Sequence, residues 1–296
     1  MKIVVHDTAS AMEDLLRRPV ARRADALRDM LRPIEDVLAP VLGEMDTVRT
    51  HQTGSGFPID RDDPRRRAAL QEMRDADVWG RMESCLGAAG ERLSREAPGV
   101  GRAGTVHVVL TLGNPDDEHL TVRSAGYFGM GGFPGAILLT MWPTATSLAK
   151  IGYAAAHELH HNVRYANVEW NPATVTVGEH VVAEGLAEAF VRELAGEEAM
   201  GPWSAGLSGA RRDEAYAKIT AAVDVAGMAN LPAYVFGDGS ARDLGYEPVG
   251  LPDFAGYAVG LRIVDAHLAA SGLTAAGSVA LPVREILANA GVPTAA

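Results

Sequence analysis

His157-Glu158-Leu159-His160-His161 constrains this chain more than any other stretch. Two histidines four positions apart share one face only if the segment is helical. On such a helix both imidazoles can grip a single Zn²⁺, and the intervening Glu158 stands beside the metal as a proton acceptor. His160 lies near the same face, so the histidine count alone does not fix the binding pair. Only His157 and His161 bracket a glutamate in this register. Nine histidines in 296 residues make a chance H-E-x-x-H uncommon, about two chains in a hundred. The bland alternative is a buried histidine pair on a core helix. The flanks support the helix itself. Leu148, Ile151, Ala155, Leu159 and Val163 recur at three- and four-residue steps. Ala154, Ala155 and Ala156 favour helix, and Thr144, Thr146 and Ser147, just after Pro143, offer N-caps.

Composition limits what such a helix serves. A net charge of −11 argues against nucleic-acid or anionic-membrane partners. The arginines of the N-terminal region are interleaved with Glu13, Asp14, Asp25 and Asp29, which makes a solvated mixed-charge face rather than a nucleic-acid arm. One cysteine, Cys85, excludes an internal disulfide and suits a reducing compartment. The short apolar run Ile3-Val4-Val5 is broken by His6 and Asp7, so no signal peptide is expected. No apolar stretch reaches membrane-spanning length. A cytoplasmic location is the expectation.

The chain divides by character near Pro98-Gly99-Val100-Gly101. Residues 1–100 are expected to be mostly helical after a short strand at 2–5, with breaks near Pro19, Pro33 and Pro40. An exposed loop is expected from His51 to Pro64, and a helical region from Pro64 to about Arg95. Beyond the divide, the β-branched run Thr105–Leu112 predicts a strand. Gly126–Gly135 is too rich in glycine for regular structure by propensity. Ala136–Trp142 predicts a second strand directly before the metal helix, placed to pair an extended substrate by backbone hydrogen bonds. A polar connector, Tyr165–Thr174, leads to a second helix beginning near Thr174 or Thr176, where Thr176 and Glu179 have capping-box spacing. A loop follows at Phe236–Ser240, then a helix over Phe254–Ala270.

On that second helix Val177, Val181, Glu184, Glu188 and Val191 fall on one stripe. Two carboxylates in an otherwise apolar inward stripe are costly unless something compensates them. A metal with its ligand shell would do so. Two histidines and a glutamate make the His₂Glu zinc type, with water in the fourth position.

The arrangement resembles the gluzincin metallopeptidases. That resemblance implies Glu184 as third ligand and Glu188 as the acid orienting the first histidine. More narrowly, Ala156–Val163 (A-H-E-L-H-H-N-V), Ala183–Glu188 (A-E-G-L-A-E) and Gly256–Gly260 (G-Y-A-V-G) resemble the DUF2268 family of predicted Zn-dependent proteases. The likeness covers roughly residues 105–290. It implies an α+β, zincin-like metallopeptidase domain over 101–296, with a small mixed sheet, the active-site helix and a mostly helical C-terminal lobe.

The expected activity is hydrolysis of peptide bonds through a metal-activated water, with Glu158 as general base and His157, His161 and Glu184 holding Zn²⁺. A gluzincin usually adds a Tyr or His donor for the oxyanion, and Tyr257 or His180 is the candidate. No G-x-M-E-N element is present to hold a free N-terminus, so an endopeptidase or a peptidase of one dedicated precursor fits better than an aminopeptidase. Two rivals stand beside this reading: a non-catalytic metal-stabilised binding protein, and a metal-dependent hydrolase of a non-peptide amide. Structural zinc needs no base, so an intact Glu158 disfavours the first.

Overall fold

The computed structural model describes residues 1–42 and 46–295. Its contacts gather into two compact units, Met1–Gly90 with Arg102–Asn162, and Glu91–Gly101 with Val163–Ala296.

The first unit holds a four-stranded mixed sheet in the order β1-β2-β4-β3. The strands are β1 (Lys2–Val5), β2 (Thr105–Leu112), β3 (Tyr127–Phe133) and β4 (Ala136–Met141). β1 and β2 pair in parallel, as do β2 and β4, while β3 returns antiparallel to β4. Every residue of β4 is buried, which suits an apolar run lying between two neighbours. Around the sheet lie α1 (Thr8–Arg17), α2 (Arg23–Leu42), α3 (Thr47–Thr53), α4 (Pro64–Asp75), most of α5 (Val78–Glu96) and nearly all of α6 (Ala145–Arg164).

Several expectations need correction here. α2 runs through Pro33: the lost N–H and the ring clash of an interior proline cost about 3 kcal/mol, which the burial of Leu27, Met30, Leu31, Ile34 and Leu38 offsets. His51 belongs to α3 and is buried, not part of an exposed loop. The helical region after Pro64 is two helices, parted at Asp77 with its φ of 48°. Gly126–Gly135 is not irregular: seven of its residues form β3. The strand placed to pair a substrate, β4, has both edges occupied by β2 and β3. The edge strands of the sheet are β1 and β3, and of these β3 is the one beside β4.

In the second unit the regular elements among the described residues are helical. They are α7 (Val177–Ala195), α8 (Gly209–Thr220), α9 (Leu231–Val235), α10 (Gly237–Asp243), α11 (Ala255–Ser271) and α12 (Val283–Asn289). The expected loop at Phe236–Ser240 is largely α10, begun by Gly237 at φ 86°. α7 starts where the capping box predicts, with the Thr176 hydroxyl accepting the Glu179 amide at 3.1 Å. Glu179 then uses its carboxylate on Arg164, at 2.7 and 2.8 Å. Arg164 has no exposed surface and also donates to the Val279 and Leu281 carbonyls at 3.2 Å. A buried guanidinium is tolerated because carboxylate and carbonyls accept its hydrogen bonds.

α7 and α11 cross at two glycines. A Cβ on Gly185 would lie 2.2 Å from the backbone C and O of Gly260, and one on Gly260 would lie 2.0 Å from the Val181 carbonyl oxygen. The helices touch backbone to backbone there, which only glycine allows. This crossing accounts for the glycines inside A-E-G-L-A-E and G-Y-A-V-G, and it sets α11 beside the segment of α7 that bears Glu184.

Candidate metal centre

α6 begins with a reciprocal cap. The Ser147 amide donates to the Thr144 hydroxyl at 3.0 Å, and the Thr144 amide donates to the Ser147 hydroxyl at 2.8 Å. The helix then runs unbroken past His157 and His161. Their Nε2 atoms face each other at 3.0 Å, with the rings edge to face at an interplanar angle of 80°. Both are 6% exposed. Two nitrogens bound tetrahedrally to one zinc sit about 3.3 Å apart, so the pair is already close to ligand spacing.

One ligand atom from each of His157, His161 and Glu184 lies within 4.8 Å of the others, and all three residues are buried. Among the described residues this is the one group of three or more His, Cys, Asp or Glu side chains so gathered. Two imidazoles and one carboxylate suit a borderline-soft divalent ion such as zinc. The donor set fits.

Glu158 is 8% exposed and lies against β3. A Cβ at Gly129 would stand 2.2 Å from Glu158 Oε1, and one at Gly131 would stand 2.3 Å from the Glu158 carbonyl oxygen. The glycines of β3 are therefore the room that Glu158 occupies. In the sequence the glycine run carries no local sign of this purpose. Nor does the sequence mark Asn162, next to His161, whose side chain reaches four backbone groups of the β3–β4 hairpin.

Glu188, one turn beyond Glu184, is 2% exposed. Its Oε2 accepts the Gly201 amide at 2.9 Å and the Ser204 hydroxyl at 2.7 Å. Those bonds hold the buried carboxylate in a fixed position. Tyr257 stands on α11, one turn before the glycine crossing, among Trp203, Phe236 and Phe254 with ring centroids 5.5 to 6.3 Å away. His180 is on the first turn of α7, tilted toward the Tyr165 ring at 6.4 Å.

The family model described as "Predicted Zn-dependent protease (DUF2268)" matches residues 89–288. The chain belongs to the DUF2268 family. The uncharacterized protein YjfC of Bacillus subtilis (strain 168) is 31% identical over 301 residues, 99% of this chain and 99% of that protein. The uncharacterized protein YjaZ of the same organism is 31% identical over 133 residues, 44% of this chain and 47% of its own length. No solved structure matches. No helix among the described residues is long and apolar enough to cross a membrane.

Proposed function

We propose that the protein is a zinc-dependent peptidase of zincin-like fold, cleaving peptide bonds with Glu158 as general base. The gathering of His157, His161 and Glu184 carries this reading. When bound there, Zn²⁺ supplies a Lewis acid that lowers the pKa of water and polarises a carbonyl oxygen. Glu158, held against the glycine strand, accepts the proton of the attacking water and hands it to the leaving amine. Glu188, held by Gly201 and Ser204 one helical turn from Glu184, is suited to orienting a histidine ligand. Tyr257 is the candidate donor to the oxyanion, its ring steadied by three aromatic neighbours.

Substrate docks as an extended strand on the open edge of β3, which passes directly over Glu158. An edge that continues past the base accommodates chain on both sides of the scissile bond, which favours an endopeptidase. The partner is a peptide or protein substrate, and the expected compartment is the cytoplasm.

The test is metal analysis combined with digestion of a mixed peptide library, wild type against Glu158→Gln. The glutamine keeps size and most hydrogen bonding but removes the base. Zinc content and melting temperature should stay near wild type while turnover falls by about two to four orders of magnitude. A Glu158→Gln protein with full zinc and full turnover would end this mechanism.

A further inference from the structure

Asn162 follows the second histidine of the motif and turns about 100° around the helix from it, so it points at β3 and β4 rather than at the metal ligands. Its side chain is 1% exposed. Nδ2 lies within donating distance of the carbonyls of Gly131 at 3.1 Å, Phe133 at 2.8 Å and Ala136 at 2.9 Å, its two N–H bonds shared among the three, and Oδ1 accepts the Gly135 amide at 3.0 Å. One amide thus satisfies backbone groups on both strands and in the turn between them.

The hairpin needs such a tie. Between Met130 and Phe133 the β3–β4 register shifts, so the ladder is interrupted just there. Gly135 turns the chain at φ 105°. The strand is glycine at 129, 131 and 132, and glycine holds an extended strand weakly by itself. Yet this weak strand must keep a fixed distance from Glu158, whose carboxylate and main chain fill the room left by Gly129 and Gly131.

We propose that Asn162 is a positioning residue that clamps the β3–β4 hairpin to α6 and so sets the gap between the substrate-docking edge and Glu158. The proposal rests on the peptidase reading for its kinetic consequence, though not for the clamp. Alanine at this position deletes the donors and the acceptor. Aspartate keeps the shape and the acceptor for the Gly135 amide but turns carboxylate oxygens toward three carbonyls. Threonine or serine cannot span both strands. The amide is therefore the required chemistry.

The experiment uses the full chain, with and without added zinc, as wild type, Asn162→Ala and Asn162→Asp. Amide hydrogen exchange is followed by mass spectrometry on peptides covering β3 and β4, with α7 and α11 as internal references. Hydrolysis of a mixed fluorogenic peptide library is followed in parallel. In both variants the hairpin should exchange at least tenfold faster, with and without zinc, while α7 and α11 keep wild-type rates. The zinc-loaded variants should bind one zinc per chain and show KM raised at least tenfold, with a smaller change in kcat.

Hairpin exchange and KM at wild-type values overturn the proposal. So does faster exchange spread evenly over the whole chain, which marks a residue that only stabilises the fold. If the wild type hydrolyses nothing in the library, the peptidase reading fails on its own and the local exchange pattern still decides the clamp. If Asn162→Asp does not fold, Asn162→Ala carries the same readout.

Discussion

Gly185→Ala isolates the role of the α7–α11 crossing from that of the metal ligands beside it. The new methyl would begin 2.2 Å from the backbone C and O of Gly260 and 2.8 Å from the Leu261 amide nitrogen. Ordinary carbon contacts lie at ~3.5–4.0 Å, so the two helices must separate locally by more than an ångström. No flexible side chain is available to absorb the clash, since the atoms met are all main chain. Overpacking a tight core costs about 1–3 kcal/mol, and a backbone-to-backbone clash belongs at the upper end. For a chain of this size, about 3 kcal/mol corresponds to a melting temperature lower by roughly 5 °C. Glu184 precedes the substituted residue, and zinc distances tolerate only ~0.2 Å of error, so zinc affinity should fall at least tenfold. The assays are thermal unfolding of the metal-free protein and competitive zinc titration. Gly87→Ala is the control: its Cβ meets nothing within 4 Å on α5, and there alanine should be neutral or stabilising by up to ~1 kcal/mol. A Gly185→Ala protein with wild-type melting temperature and zinc affinity would refute the close-crossing argument.

Two further outcomes are expected. Glu184→Ala should lose zinc far more readily than Glu188→Ala, which should weaken binding by about 10–100-fold at most; equal losses in a zinc titration would show that Glu188 is itself a ligand. Stability of the first unit should depend on acid through His51, whose imidazole burial pushes down to about 4 despite its hydrogen bond to the Phe57 carbonyl. The unfolded chain takes up this proton near 6.5 and the folded chain only near 4, so stability is complete above pH 6.5 and falls as pH drops toward 4. That interval corresponds to ~3 kcal/mol. Urea midpoints of the metal-free protein, set against those of His51→Phe, should show the slope between pH 6.5 and 4 flatten in the variant.

Much of the fold near α6 was legible because it is written in periodicity and caps. The 3.6-residue apolar repeat marked α6, Thr176 and Glu179 marked the start of α7, and β-branched residues marked β2. The buried stripe carrying Glu184 and Glu188 was readable for the same reason. What escaped was non-local. Arg164 reads as an ordinary basic residue at a helix end, and only the chain beyond Val279 and Leu281 reveals the carbonyls that keep it buried. His51 reads as a polar loop residue until Phe57 folds back onto it. The substrate-pairing role was expected of Ala136–Trp142 because strand order, which depends on a chain reversal, is not written locally, and the more apolar strand, β4, proved to be the interior one.

The glycines show why propensity misleads around a site of this kind. Averaged over proteins, glycine weakens helices and strands, so a run such as Gly129-Met130-Gly131-Gly132 reads as loop. That average concerns a backbone with nothing pressed against it. Here Gly129 and Gly131 meet Glu158, and Gly185 meets Gly260. Each marks a place where two elements approach closer than a methyl group permits. In both cases one partner carries or adjoins a residue assigned to the chemistry: Glu158 on α6, Glu184 beside Gly185. Close approach leaves room there for the Glu158 side chain that a methyl group would fill. The local instability of a glycine strand is then offset from outside, by Asn162 on the same helix as the base it faces. The glycine cluster one strand ahead of the metal helix is therefore the imprint of a buried neighbour, not a flexible linker.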